Sequence, residues 1–178
     1  MLLTLANVNN GLTARRQSLV NQLDTAEQRL NGARAELTDV DDRFTRTRER
    51  VAAIGQSSAV GLLLQRHRGG LPDDLQRYRD EGRALDQRTR ELDEQRLLLA
   101  DTETRATELL AGSGAAGEEA DEQVAASVRG MLETQRTYLG FLFDDQTRYF
   151  DILVQLGTTY GELHGTAEAF LRFIAQYR

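Results

Sequence analysis

The chain of 178 residues contains no cysteine, no tryptophan, no lysine, one proline and two histidines. Without cysteine there are no disulfides, thiolate metal sites or thiol nucleophiles, and either the cytoplasm or the periplasm is compatible. The single proline leaves long stretches free of any helix breaker. His67 and His164 fall far apart, with no HxxxH or HExxH spacing, so no metal site is expected. Runs of β-branched residues alternating with polar ones are also missing, which removes the signal for strands. Vicinal acids such as Asp41–Asp42 and Asp144–Asp145 diverge by ~100° on a helix, so they form no convergent acid/base pair. No phosphate-cradling loop or nucleophile motif occurs. An enzyme is not expected, and neither a cofactor nor a small-molecule substrate.

Net charge is −6, which argues against nucleic acid as a partner. Basic spots occur at Arg46, Arg48 and Arg50 and at Arg66-His67-Arg68. The first is interleaved with Glu49 and backed by Asp39, Asp41 and Asp42, so no face is basic over the length of a phosphate backbone. The longest uncharged window, Val51–Gln65, falls short of the ~20 apolar residues that span a bilayer.

What is present is heptad periodicity. Leu19, Leu23, Ala26, Leu30, Ala33, Leu37, Val40, Phe44, Thr47, Val51 and Ile54 recur at spacings of three and four, polar only at Thr47. The register continues backwards more weakly through Leu12, Asn9, Leu5 and Leu2, where Asn7, Asn9, Asn10 and Gly11 predict fraying. A second register repeats every seven residues at Tyr78, Leu85, Leu92, Leu99 and Ala106. Its alternate positions are poor (Gly82, Thr89, Arg96, Glu103), so this helix packs on one neighbour and covers its flank with Arg stems.

The third register is the longest, from Ala125 to Tyr177, with Gln135 and Gln146 its polar members. Nine of the eleven aromatic residues lie in it. Tyr149, Leu153, Leu156, Tyr160, Leu163 and Phe170 form its richest stripe and the candidate helix-packing interface. Gly157, Gly161 and Gly165 fall four apart and predict a bend or a close helix contact.

These patterns predict an all-α fold: an elongated antiparallel three-helix coiled-coil bundle with a short connector helix at one tip. The expected organisation is a single helical domain over residues 1–178. Long helices are expected at about 12–54, 72–110 and 118–177, with a short helix at about 58–68 and a flexible linker at 111–117. Gly55 supplies a stop, Ser57 or Ser58 a cap, and Gly69-Gly70 a second stop. Pro72, Asp73 and Asp74 suit the first turn of the next long helix.

Periodicity does not demand that interruption, and it carries a family resemblance. The series Gly55, Ala59-Val60-Gly61-Leu62-Leu63-Leu64, Arg66-His67-Arg68, Leu71-Pro72-Asp73 and Arg77-Tyr78-Arg79 resembles the N-terminal periplasmic region of the large MscS-like mechanosensitive channels, the MscK/MscM type. The ELDEQRLLLAD stretch around Leu92 and the closing Ala169-Phe170-Leu171 are similar too. The connector residues that carry the resemblance are Gly55, Gly61, Leu62, Leu63, Leu64, Leu71, Pro72 and Tyr78.

The resemblance implies a periplasmic helical arm on a channel of the bacterial inner membrane that answers hypo-osmotic stress by ion transport. The arm's partners would be other channel subunits and the membrane-embedded remainder of the parent protein. Relatives continue into transmembrane helices while this chain stops at Arg178, and MLLTLANVNNG lacks a basic n-region, so the resemblance implies an excised fragment. Without the family link, the same helices read as a free coiled-coil scaffold or a secretion or envelope adaptor.

Overall fold

A computed structural model of the chain describes residues 2–55, 58–71, 75–112 and 119–177. They form four helices and no strand: α1 (Leu2–Ile54), α2 (Ser58–Arg68), α3 (Leu75–Gly112) and α4 (Glu119–Ala175). The fold is an all-α helical bundle. Pro72, Asp73, Asp74, the Ser57 cap and most of the 111–117 linker lie outside the described residues, as do the side chains of Leu2, Ser58, Leu99, Glu103, Ala106 and Ala125.

The chain divides into two compact units, the first made of Met1–Ala26 with Thr89–Ile152 and the second of Glu27–Arg88 with Leu153–Arg178. In the first unit Leu19, Leu23 and Ala26 of α1 are buried, with Leu92 of α3 and Leu132, Leu139, Leu142, Tyr149 and Ile152 of α4. Helix α1 takes in the weak register down to Leu2. Asn9 helps to hold that extension, its Nδ2 donating to the Met131 carbonyl at 3.1 Å. Arg16 Nε donates to Asp145 Oδ2 at 2.8 Å, and its guanidinium lies 4.5 Å from the centre of the half-exposed Phe141 ring. Contacts from α1 and α4 therefore advance together, so the two helices run parallel here.

Arg96 occupies one of the poor positions of the α3 register. Its guanidinium stacks over both Phe143 and Phe150, at 5.6 and 5.2 Å from the ring centres. A cation over two aromatic faces fills a seam position where a two-stranded coil would place an aliphatic residue. Gln146 is 3% exposed in the same unit, and its Oε1 has no hydrogen-bond partner among the described residues.

In the second unit α1 and α4 again run parallel, from Arg34–Gln155 to Phe44–Phe170, and α3 runs opposite to them. Arg29 meets Glu81, and seven residues up α1 Glu36 meets Tyr78, three residues down α3. Leu153, Leu156, Tyr160, Leu163, Ala167, Phe170 and Ile174 of α4 are all buried. Thr47 is tolerated in the α1 seam at 1% exposure because its hydroxyl donates to the Arg43 carbonyl one turn back, at 2.6 Å.

The α1 seam closes at Val51. Ile54 sits one residue before the helix stop and is 58% exposed. Gly55 makes that stop in the left-handed region (φ 70°), its amide donating to the Val51 carbonyl at 3.0 Å. Of the glycine stripe on α4, a methyl added at Gly157 would reach Leu85 Cβ at 4.0 Å, an ordinary contact, while Gly161 and Gly165 face open space. The stripe makes no close helix approach.

Candidate functional site

Of the residues singled out by sequence, those of the connector that are described lie in the second unit, as does the packing stripe from Leu153 onward, while Tyr149 belongs to the first. Helix α2 presents one face inward: Val60 and Leu64 are buried at 3% and 2%, and Leu71 follows at 5%. They join Val40, Val51, Ala167, Phe170 and Ile174 in one apolar cluster, with Phe44, Leu171 and Phe173 at its margin. Phe44 stacks on Phe170 with ring centres 5.0 Å apart and meets Phe173 edge-on at 5.8 Å. Leu63 is half-buried, Gly61 has no neighbour within reach of an added methyl, and Leu62 is 70% exposed. The Leu62-Leu63-Leu64 run is thus split between core and surface, as the 100° step of a helix requires.

The end of α2 is tied to α1 by Arg43. Its Nη1 donates to the Gly70 carbonyl at 2.8 Å and its Nη2 to the His67 carbonyl at 3.4 Å. The guanidinium therefore takes the Gly70 carbonyl just past the helix and shares the His67 carbonyl with the Gly70 amide (3.2 Å), at the negative end of the α2 dipole. A methyl added at Gly70 would sit 2.5 Å from Arg43 Nη2 and would displace the guanidinium from this position. His67 lies 6.2 Å from Phe170, and burial together with the charges of Arg43, Arg50 and Arg66 lowers its pKa, favouring the neutral imidazole.

One turn into α3, Tyr78 is 2% exposed and its hydroxyl donates to Glu36 of α1. Burial and that carboxylate raise the Tyr78 pKa well above its ordinary value. Tyr160 of α4 lies 5.9 Å from Tyr78, ring centre to ring centre. Burial and hydrogen bonding to Glu81 raise its pKa as well. Arg29 completes the group through Glu81, at 3.2 Å. Three helices thus share a polar layer in which both tyrosines remain protonated donors near neutral pH. Such a layer fixes helix register and rotation.

Two open grooves flank Tyr177 near the end of α4. One, of about 470 Å³, is lined by Thr45, Arg48, Glu49, Ala52, Phe173 and Tyr177. The other, of about 510 Å³, is lined by Gly61, Leu62, Leu64, Gln65, Arg68, Ile174 and Tyr177. The α4 backbone carries through Tyr177 by tightened bonds, Gln176 N to Phe173 O at 3.2 Å and Tyr177 N to Ile174 O at 3.3 Å.

The six positions of the candidate packing stripe, Tyr149, Leu153, Leu156, Tyr160, Leu163 and Phe170, are all buried within the chain, Leu156, Leu163 and Phe170 completely. Sequence reasoning named Tyr78 but missed its partner Glu36, and missed Arg43, Arg29 and Glu81. Nothing marks these residues locally: Arg43 and Gly70 are 27 positions apart, and Tyr78 and Glu36 are 42 apart. Among the described residues no group of three His, Asp or Glu side chains is placed to hold a metal ion. None of the helices, over those residues, is long and apolar enough to cross a membrane. No protein-family model, curated protein or solved structure matches the chain.

Proposed function

We propose that the chain is a helical arm of a large MscS-like mechanosensitive channel, held in the periplasm and coupled to other subunits and to the membrane-embedded remainder of its parent. The observation that carries the reading is the connector. A glycine stop at Gly55, a Leu-rich α2 seated by Val60 and Leu64, and Leu71 leading to the Tyr78 helix follow the order of elements to which the sequence is similar. Val60, Leu64, Leu71, Arg43 and Tyr78 of this region are engaged in holding helices to one another. That suits a part whose task is mechanical: it transmits or resists displacement and catalyses nothing. In this reading Arg43 and the Tyr78–Glu36 bond stiffen the turn that joins α1 to α3 through α2.

The test begins with the coding frame. It is expected to continue into transmembrane segments and an MscS-like pore helix; a frame that closes without any membrane segment overturns the reading. Removal of residues 1–178 from the full-length protein is then expected to shift the pressure threshold in patch-clamp recordings or to lower survival of hypo-osmotic shock. A channel whose threshold, subunit assembly and shock survival all ignore the deletion is equally decisive against it.

A further inference from the structure

Charge is distributed unevenly in this acidic chain. Residues 43–71 hold six Arg against one acidic residue, Glu49, a net of +5, while the rest carries 16 Arg against 27 acidic residues. Two of the six are committed to polar partners within the fold, and Arg48 lies over the Phe44 ring at 5.6 Å. Arg46 pairs with Asp42 at 2.9 Å, and Arg43 holds the α2 carbonyls beside Asp39. Arg48, Arg50, Arg66 and Arg68 are exposed and make no ion pair with a described residue.

The same surface carries an exposed leucine and a half-buried tyrosine that a purely electrostatic site would not need. Leu62 is 70% exposed and Arg66 follows it one turn on, so both lie on the outward face of α2. Arg68 shares a groove with Leu62, Ile174 and Tyr177. Arg48 shares the other with Phe173 and Tyr177. Each groove thus has an apolar wall and an Arg in its lining, with Glu49 beside Arg48 in the latter, and Tyr177 borders both. Arginine, an exposed leucine and an aromatic ring with a polar tip are the residues that settle at the headgroup level of a bilayer. A long nucleic acid would meet repulsion from the acidic remainder and has no use for Leu62.

We propose that this surface, built from the end of α1, the outward face of α2 and the last turn of α4, docks on an anionic lipid bilayer. Arg48, Arg66 and Arg68 meet the phosphates, while Leu62 and Tyr177 enter the interfacial layer. The inference stands on charge and groove geometry and does not depend on the channel reading.

The test is flotation of the full chain with vesicles of phosphatidylcholine containing about one third phosphatidylglycerol, beside vesicles of phosphatidylcholine alone. Binding is expected to the anionic vesicles only and to weaken with salt. R66E/R68E is expected to weaken it by about 30-fold or more, since each Arg near such a surface contributes about a factor of five to ten. L62E is expected to weaken it while leaving the thermal melt unchanged, because the side chain is exposed. R90E, a charge reversal outside this region, is expected to bind as the wild type does. Overturning results are equal binding to neutral vesicles, no binding to anionic ones, or full binding by R66E/R68E. Tighter binding to duplex DNA or polyglutamate, insensitive to L62E, would also overturn it by showing a general polyanion site.

Discussion

The first unit, around Arg96 and Gln146, and the second, around Phe170 and Tyr78, use the same heptad pattern with different fillings. In the second, aromatic rings and aliphatic side chains close an apolar cluster, and every polar member of the neighbouring layer has a partner: Tyr78 with Glu36, Tyr160 and Arg29 with Glu81. In the first, a guanidinium sandwiches against two phenylalanines, and the Gln146 and Asn9 side-chain oxygens stay unpaired among the described residues. A heptad register therefore states which positions turn inward. It does not state how well the chemistry at those positions is satisfied, and stability depends on the latter.

Phe170→Ala gives the largest expected effect. The side chain is completely buried and stacked on Phe44, so its loss is expected to cost about 3–5 kcal/mol, read as a drop in the urea midpoint. A cost below about 1 kcal/mol would show that the apolar cluster is looser than its burial indicates, and the contrast between the units would fall.

Tyr78→Phe comes next. It leaves the Glu36 carboxylate without its donor in a half-buried site, at an expected cost of about 1–3 kcal/mol. The same bond sets an alkaline limit. Because the folded pKa of Tyr78 is raised, the unfolded chain releases its proton first. Stability is then intact below about pH 10, the unfolded value, and declines as pH rises from there towards the folded value. In Tyr78→Phe that part of the alkaline decline is expected to vanish, which denaturant titrations at pH 8 and pH 11 would show.

Gln146→Leu tests the first unit from the other side. Replacing a buried oxygen that lacks a partner by an aliphatic side chain is expected to leave stability unchanged or raise it by about 1 kcal/mol. A loss of about 2 kcal/mol or more in urea would mean that Gln146 is as well satisfied as the tyrosines, and would erase the difference between the units.

His67 gives the smallest effect. Its pKa is lowered, so the stability it supports is present above the unfolded value of about 6.5 and is lost as pH falls through the folded one. Melting temperature is expected to fall on acidification from pH 7 to pH 5, and to fall less in His67→Gln. An identical acid response in the variant would remove His67 from the account.

Much of the fold is legible in the residue order, and for a physical reason. Helix periodicity is local, so Leu19 to Val51, Tyr78 to Leu92 and Leu132 to Tyr177 declare their inward positions without knowledge of any partner. Gly55 likewise declares a stop, because only glycine adopts its left-handed backbone without strain. The reading failed at Ile54, which the register placed in the seam and which is exposed, because the register says nothing about where its neighbours end. It also overstated the glycine stripe, whose spacing invites close approach but whose neighbours do not come near.

The amino-acid order alone thus determined four matters: helix type, the inward face of each long helix, the interruption after Gly55, and the want of thiol chemistry. Only the tertiary structure decided that Arg43 would cap α2, that Glu36 and Glu81 would hold the two tyrosines, and that Arg48 and Arg68 would flank one half-buried Tyr177. The reason lies in range. Periodicity and backbone preference act over a few residues, whereas a side-chain hydrogen bond or a groove is made between residues tens of positions apart, which only packing brings within 3 Å.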